Sequence, residues 1–262
     1  SKLIINRIEF QKQALDKIPA LYNALGVFDK RSLEQCTSED VASFKSGLIN
    51  GNSLLVLGGG LGIDEQAFSR RFKEITSIEL NNELNDITNF NINRLQITNI
   101  NRISSDAENF ISQNSKMYDW IYSDPDRRDE KGKQIKLSEH NPNIVALLPD
   151  LFKFSARIAI KTSPLYDFEM ALKELNYVSD LYAISRAGEM KELLIIMDNQ
   201  KTDLSQISIH CIDIDKTTNH AFSINITENV NPVKSALNDD YFFEAGSSLI
   251  KMRRHHQYAA KM

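Results

Sequence analysis

The stretch SLLVLGGGLGID, residues 53–64, runs from an apolar segment directly into a glycine-rich turn. A short apolar run bounded by a turn is typical of a strand that is buried on both faces of a sheet. Glycines after such a strand let the backbone turn tightly and approach a bound molecule without a clash from a Cβ atom. The stretch therefore predicts the first strand of an α/β sheet with a binding turn at its carboxyl end.

Outward from this stretch, strand and helix patterns alternate along most of the chain. Apolar residues at helical spacing predict two helices within residues 2–25, divided by Pro19, and a further helix near 38–49 that begins with a capping box at Thr37. The other predicted elements are strands at 74–80, 100–104, 118–123 and 157–162, helices at 64–73, 82–95, 107–112, 141–154 and 166–175, and an antiparallel hairpin over 178–198. This order predicts an open, mostly parallel α/β sheet that is covered by helices on both faces.

The chain of 262 residues is long enough for one large domain with an appendage. We expect a small N-terminal helical region at 1–50 and the α/β domain at 51–200. A C-terminal β extension at 201–262 is expected to contribute two more strands, at 207–214 and 221–226, before a helical tail.

Composition and charge exclude several classes of protein. The net charge of −4 argues against a polycation that grips nucleic acid non-specifically, so any such contact must come from local patches. The tail arginines Arg253 and Arg254 are one candidate patch, although a surface helix is the alternative. Two cysteines far apart, Cys36 and Cys211, argue against a disulfide framework, and neither they nor the histidines show metal-ligand spacing. We predict a cytoplasmic protein without a transmembrane helix or a metal ion.

The spacing of the glycines indicates the kind of cofactor. Gly58, Gly60 and Gly62 occupy positions 1, 3 and 5 of the turn, whereas the nicotinamide dinucleotide fingerprint needs glycine at positions 1, 3 and 6. Ile63 fills the sixth position, which disfavours a nicotinamide-dependent reductase. The observed spacing is typical of proteins that bind S-adenosylmethionine (SAM).

Acidic residues at the next two strand ends fit a nucleoside. Glu79 follows the glycines by about 20 residues, where a carboxylate can accept hydrogen bonds from both ribose hydroxyls. Asp106 ends the following strand and can meet an adenine amino group. For Glu79 alone, a solvated strand end is the alternative interpretation.

The stretch WIYSDPDRRDEKG, residues 120–132, crowds charges around one proline after a strand. Asp124 can accept a hydrogen bond from an amine and later its proton, while Pro125 makes the turn rigid. Arg127 and Arg128 are suited to bidentate phosphate binding. The alternative is a charged turn in which Asp124 caps the turn and the arginines form exposed salt bridges with Asp126 and Asp129.

Four stretches together resemble the class I SAM-dependent methyltransferases. They are LEQCTSEDVASFK, GGGLGID, DPDRRD and IKTSPLYD, which lie in that order between residues 33 and 170. More narrowly, EQCTSE with the DPxRR motif is similar to the bacterial methyltransferases that carry a THUMP-like domain at the C-terminus. The resemblance implies a Rossmann-like fold. YFFEAGSSLIKM resembles the start of a ferredoxin-like domain, of which we expect this sequence to contain only the beginning.

The resemblance also implies roles at matching positions. Asp126 stands where that family usually has a small residue, and Leu57 or Gly58 stands where the first strand often ends in an acid. The implied cofactor-binding residues are Gln35, Cys36, Thr37 and Ser38 at the methionine end, Gly58, Gly60, Gly62 and Asp64 at the turn, Glu79 at the ribose, Asp106 at the adenine, and in addition Leu80 and Ala107. The implied catalytic residues are Asp124, Pro125 and Arg127, and the implied substrate-binding residues are Arg127, Arg128, Lys161 and Ser163.

The resulting functional hypothesis is a SAM-dependent methyltransferase that acts on RNA, either tRNA or rRNA, at a base nitrogen. The RNA part depends on the two arginines and on the analogy with THUMP-type domains. A small-molecule methyltransferase and a non-catalytic module that binds SAM or RNA are the alternatives.

Overall fold

The computed structural model of the protein describes residues 2–126, 128–129, 132–133, 136–200, 203–215, 218–228 and 244–261. The described part divides into two compact units, one from residues 1–126 and 140–158 and the other from 127–139 and 159–262. The boundary falls within a strand, Arg157–Thr162. The division at residues 50 and 200 that the sequence suggests stays a prediction.

The first unit begins with helices and continues as alternating strands and helices. Its elements are α1 (Lys2–Lys17), α2 (Pro19–Asn23), α3 (Lys30–Gln35), α4 (Glu39–Ser46), β1 (Gly51–Leu57), α5 (Ile63–Phe68), β2 (Phe72–Glu79), α6 (Asn82–Arg94), β3 (Ile100–Ser104), α7 (Ala107–Gln113) and β4 (Trp120–Ser123). After the short strands β5 (Arg128–Asp129) and β6 (Gly132–Lys133) of the second unit, α8 (Ile144–Phe154) returns to the first.

The strands of the first unit form a wholly parallel array in the order β4-β1-β2-β3. Leu54, Leu55, Val56 and Leu57 are all buried in β1, as a strand covered on both faces requires. Parallel strands place their carboxyl ends at one edge, so the residues after β1, β2, β3 and β4 come together there.

The second unit completes the chain with β7 (Arg157–Thr162), α9 (Phe168–Glu174), β8 (Val178–Arg186), β9 (Glu189–Asp198), β10 (Ser208–Ile214), β11 (Asn219–Asn225), α10 (Ser247–Lys251) and α11 (His255–Lys261). The predicted hairpin is confirmed, since β8 and β9 pair antiparallel. Strand β10 pairs parallel with β8, and β11 pairs antiparallel with β10. These pairings agree with the predicted fold, which is mostly parallel with an antiparallel hairpin towards its C-terminal side.

Several local predictions need correction. The helix predicted for 64–73 ends at Phe68, and Phe72 begins β2. The rings of Phe68 and Phe72 are both buried and pack edge to face. Their spacing of four residues is also that of one face of a helix, which is why the sequence predicted a single helix. Pairing with β1 decided the strand. The helix predicted for 141–154 begins at Ile144 and continues through Pro149 as α8.

The N-terminal region contains both a confirmed and a missed element. Pro19 starts α2 one residue after the break at Ile18, as predicted. Helix α3 was not predicted, although Asp29 caps it by accepting a hydrogen bond from the Ser32 amide. The capping box predicted at Thr37 is wrong: Ser38 is the residue that precedes α4, and the Thr37 hydroxyl bonds elsewhere.

None of the helices within the described residues is long and apolar enough to cross a membrane. Within the same residues, no group of three or more His, Cys, Asp or Glu side chains is placed to hold a metal ion.

Candidate active site at the carboxyl ends of the parallel strands

The glycine turn after β1 adopts a backbone that favours glycine. Gly58, Gly60 and Gly62 have φ values of +83°, +52° and +77°. A Cβ atom on Gly58 would lie 2.6 Å from the backbone oxygen of Asp124, whereas a Cβ on Gly60 would face open space. The turn therefore packs closely against the end of β4 on one side and leaves room at Gly60.

A buried ion pair braces the turn from beneath. Glu65 of α5 and Arg102 of β3 are both almost completely buried, with 2.7 Å between Glu65 Oε2 and Arg102 Nη1. Ser77 donates a hydrogen bond to Glu65, and Arg102 Nη2 donates to the Gly60 oxygen at 3.0 Å. Burial raises the pKa of the Glu65 carboxyl, and the charge of Arg102 opposes that shift. A Cβ atom on Gly59 would collide with this pair, so that position also needs glycine.

Glu79 lies at the rim of the turn, at the carboxyl end of β2. Its Oε2 accepts a hydrogen bond from the Gly60 amide at 2.8 Å, and its Oε1 accepts one from the Asn81 amide at 2.9 Å. Its side chain is half-buried, and the next residue, Leu80, is 60% exposed. A carboxylate with this exposure retains acceptor capacity for further hydroxyl groups.

The end of β3 lies next to the end of β2. The Ser105 amide donates to the Glu79 backbone oxygen at 3.2 Å. Asp106 is exposed and caps α7 by accepting a hydrogen bond from the Asn109 amide at 2.6 Å, while Ala107 is buried in the first turn of that helix. Asp106 thus has a structural role as a helix cap, and its role as a ligand of the cofactor stays a prediction.

The segment Cys36–Ser38, between α3 and α4, packs near the glycine turn. Cys36 is half-buried against an apolar cluster that includes Leu61 and Ile63. Thr37 Oγ1 donates to Asp64 Oδ2 at 3.1 Å. Ser38 is buried, whereas Gln35 is exposed at the end of α3. The structure therefore brings the Cys36–Ser38 segment to Asp64 and the glycine turn.

A buried polar cluster underlies this contact. The Lys45 ammonium lies 2.9 Å from Asp64 Oδ1 and 3.1 Å from the Tyr122 hydroxyl, which itself donates to Asp64 Oδ2 at 2.8 Å. The side chain of Lys45 is fully buried and that of Asp64 is 11% exposed. The cluster joins α4, α5 and β4.

The DPD turn after β4 is pinned at both ends. The Asp124 amide donates to the Leu57 oxygen at 3.0 Å, and Pro125 is buried. Asp126 and Asn141 exchange two backbone hydrogen bonds, of 2.8 and 2.9 Å. Asp124 is half-buried beside Gly58, so the predicted acceptor adjoins the predicted cofactor turn.

The predicted substrate-binding residues cannot be placed beside the glycine turn and Asp124. Arg127 lies outside the described residues, and only the backbone of Arg128, in β5, is described. Lys161 and Ser163 belong to the second unit, where the Ser163 oxygens accept hydrogen bonds from the Leu165 and Tyr166 amides. Their part in a substrate site stays a prediction.

Arg253, a candidate for phosphate contacts, is engaged within the second unit. Its guanidinium lies 3.1 Å from Asp167 Oδ2 and 2.6 Å from Glu169 Oε1, and it lies over the ring of Phe168. These contacts hold Arg253 at the start of α9.

Comparison with known proteins supports the fold. No protein-family model matches the chain, and no match was found among the curated proteins compared with it. The crystal structure of a "putative methyltransferase" from Porphyromonas gingivalis W83 superposes with a TM-score of 0.83 at 27% sequence identity, over 98% of this chain and 65% of that one. This chain thus spans about two thirds of the length of that protein.

More distant solved structures match part of the chain. TrmK of M. capricolum, in complex with S-adenosyl-homocysteine (SAH), matches 62% of this chain and 69% of that chain at 13% identity with a TM-score of 0.47. SMU.1697c of Streptococcus mutans, a "putative methyltransferase" in complex with SAH, matches 65% of this chain and 99% of that chain at 14% identity with a TM-score of 0.45. On its own topology and its likeness to the Porphyromonas structure, the protein has the Rossmann-like fold of the class I methyltransferases.

Proposed function

We propose that the protein is a SAM-dependent methyltransferase. The observation that carries the proposal is the Glu79 carboxylate, whose Oε2 lies 2.8 Å from the Gly60 amide on the rim of the glycine turn. A nucleoside cofactor needs this combination of an open turn and an acidic group beside it. The fit of the chain to the Porphyromonas structure over 98% of its length supports the same reading.

The residues present suit SAM. The space at Gly60 leaves room for the backbone to approach the cofactor, Glu79 offers acceptors to the ribose, and Leu80 offers an exposed apolar surface to the adenine. The segment Cys36–Ser38 borders the methionine end. When bound, SAM supplies a methyl group on a sulfonium, and transfer of that group needs orientation more than acid–base chemistry.

Asp124 orients the acceptor in this proposal. An amine nucleophile donates a hydrogen bond to the Asp124 carboxylate, which aims the nitrogen lone pair and can take the proton after transfer. Gly58 packs closely against the backbone of Asp124, and this contact fixes the position of the backbone from which the carboxylate side chain extends.

For the substrate, we propose a base nitrogen in tRNA or rRNA. The support is the arginine pair at 127–128, which follows Asp124 in the sequence and suits bidentate phosphate contacts. The narrower kinship with methyltransferases that carry a THUMP-like domain belongs to the same proposal. Transfer of a labelled methyl group to bulk RNA, against a panel of small amines, separates this substrate class from the small-molecule alternative.

Replacement of Glu79 by alanine tests the cofactor site. Hydrogen bonds to a charged group contribute about 1.5–3 kcal/mol each, and about 1.4 kcal/mol is tenfold in affinity. Calorimetric titration of SAH should therefore show binding to the wild type and affinity weakened about tenfold to hundredfold in Glu79→Ala. Glu83→Ala, which removes an exposed acid in the first turn of α6, is the matched control and should bind as the wild type does. A folded wild type that binds no SAH would refute the proposal.

The two cysteines provide an independent probe. Burial, and secondarily the charge of Asp213, raises the pKa of the Cys211 thiol to about 12, so Cys211 should resist alkylation at pH 8. Cys36 is half-buried and should react first. We expect SAH to slow alkylation of Cys36 at least about fivefold, measured by mass spectrometry, and to give no protection in Glu79→Ala. Equal rates with and without SAH in the wild type would remove Cys36 from the site.

A further inference from the structure

We propose that Lys45 is a positioning residue that holds the segment Cys36–Ser38 against the glycine turn. It acts through Asp64 and Thr37 and does not itself reach the cofactor. The inference rests on the proposed function for the identity of the ligand that the segment meets. The contacts that Lys45 makes, and the position they give the segment, do not depend on that function.

The burial of Lys45 calls for an explanation. Its side chain is 0% exposed, and lysine is almost never fully buried unless it is paired. The ammonium has three hydrogens, and acceptors surround it: Asp64 Oδ1 at 2.9 Å, Asp64 Oδ2 at 3.0 Å, the Tyr122 hydroxyl at 3.1 Å and Thr37 Oγ1 at 3.4 Å. A charge so placed is satisfied by side chains from the segment, α5 and β4 at once.

Stability alone is a weak reason for this arrangement. A buried ion pair recovers little more than its own desolvation cost, and apolar replacements of similar volume are often as stable. What a charged cluster supplies is one defined geometry for the groups that it contacts.

The geometry that it defines is that of the Cys36–Ser38 segment. Thr37 Oγ1 donates to Asp64 Oδ2, and the Lys45 ammonium, which lies close to both oxygens of Asp64, holds that acceptor in one orientation. Without Lys45, the Asp64 carboxylate would lose the cation that orients it. The segment would then lose its anchor to α5, and Cys36, next to Thr37, would no longer be held against the apolar cluster that includes Leu61 and Ile63.

Replacement of Lys45 by methionine tests the proposal, because methionine keeps the length of the stem and removes the charge. In the free protein we expect alkylation of Cys36 to accelerate at least about fivefold as the segment is released. We also expect SAH to bind at least about tenfold more weakly, measured well below the melting temperature. Tyr122→Phe removes one hydroxyl of the cluster and should move both readouts in the same direction by a smaller factor.

A matched control separates positioning from loss of stability. Ile75→Ala cuts a buried side chain of β2 outside the cluster, so it lowers the melting temperature without touching the segment. It should leave Cys36 alkylation and SAH affinity within about twofold of the wild type. If Lys45→Met matches Ile75→Ala in both readouts, the proposal is wrong.

Two further outcomes are also decisive. If Lys45→Met does not fold, Tyr122→Phe decides the matter by the same comparison. If the wild type binds no SAH, the proposed function fails, while the alkylation rate of the free protein still decides whether Lys45 positions the segment.

Discussion

Replacement of Arg102 by methionine should lower the free energy of unfolding by about 3–5 kcal/mol, because it leaves the Glu65 carboxylate buried without its partner. Both side chains are at most 1% exposed, and water cannot replace the missing charge. The loss exceeds that of an ordinary point substitution. Urea denaturation at pH 7 measures it directly.

The same variant should show a characteristic dependence on pH. Burial already raises the pKa of Glu65, and loss of Arg102 removes the charge that opposes the shift. The folded state then binds a proton more tightly than the unfolded state does. Relative to the wild type, the stability of Arg102→Met should therefore improve as the pH falls below neutral and worsen as it rises.

Two controls define the effect of the Arg102 change. Lys116 forms an exposed ion pair with Glu74, so Lys116→Met should change stability by about 1 kcal/mol or less. Glu65→Leu combined with Arg102→Met removes both buried charges and should recover much of the loss. A loss below about 1 kcal/mol in Arg102→Met alone would mean that Glu65 is not held as an anion in the folded protein.

Replacement of Asp124 by alanine should reduce turnover about a hundredfold to ten-thousandfold, the usual contribution of a positioned proton acceptor. Affinity for SAH should stay within about threefold, because the proposed partner of the Asp124 carboxylate is the substrate amine. Single-turnover transfer of a labelled methyl group to the RNA that the wild type modifies, beside calorimetry with SAH, measures both quantities.

Two variants distinguish the possible roles of Asp124. Asp124→Asn keeps an acceptor oxygen and loses the ability to take a proton, so an intermediate loss of turnover would assign most of the effect to orientation. Asp126→Asn changes an exposed carboxylate in the same turn, whose two bonds to Asn141 are made by the backbone, and should leave turnover within about twofold. Full turnover in Asp124→Ala would mean that Asp124 serves only the turn.

The parallel order of strands and the position of the glycine turn could be predicted because they depend on local signals. A run of apolar residues such as Leu54–Leu57 indicates a buried strand whatever it packs against. Gly58, Gly60 and Gly62 indicate a turn because they adopt backbone conformations that other residues adopt only at a cost in free energy. Glu79 could be found because strand length and helix length fix its distance from the turn.

The supporting residues of the site were missed for a common reason. Lys45, Glu65 and Arg102 are charged, and an interpretation based on residue type alone assigns charged side chains to the solvent-exposed surface. Their partners lie 19, 37 and 77 positions away along the chain, so no local window contains the pair. The one available signal was a charged residue that shares a strand face with an apolar one, since Arg102 and Ile100 lie on the same face of β3.

By itself the sequence determined the alternation of strands and helices, the glycine turn and the acidic residues at the strand ends, because each depends on neighbours within a few residues. Only the tertiary structure decided that Phe72 belongs to a strand, that Thr37 bonds to Asp64, and that a fully buried lysine and a fully buried arginine lie beneath the turn. The physical reason is the cost of burying charge: a buried ion is stable only where distant parts of the chain bring its partners within hydrogen-bonding distance, and only the assembled fold does this.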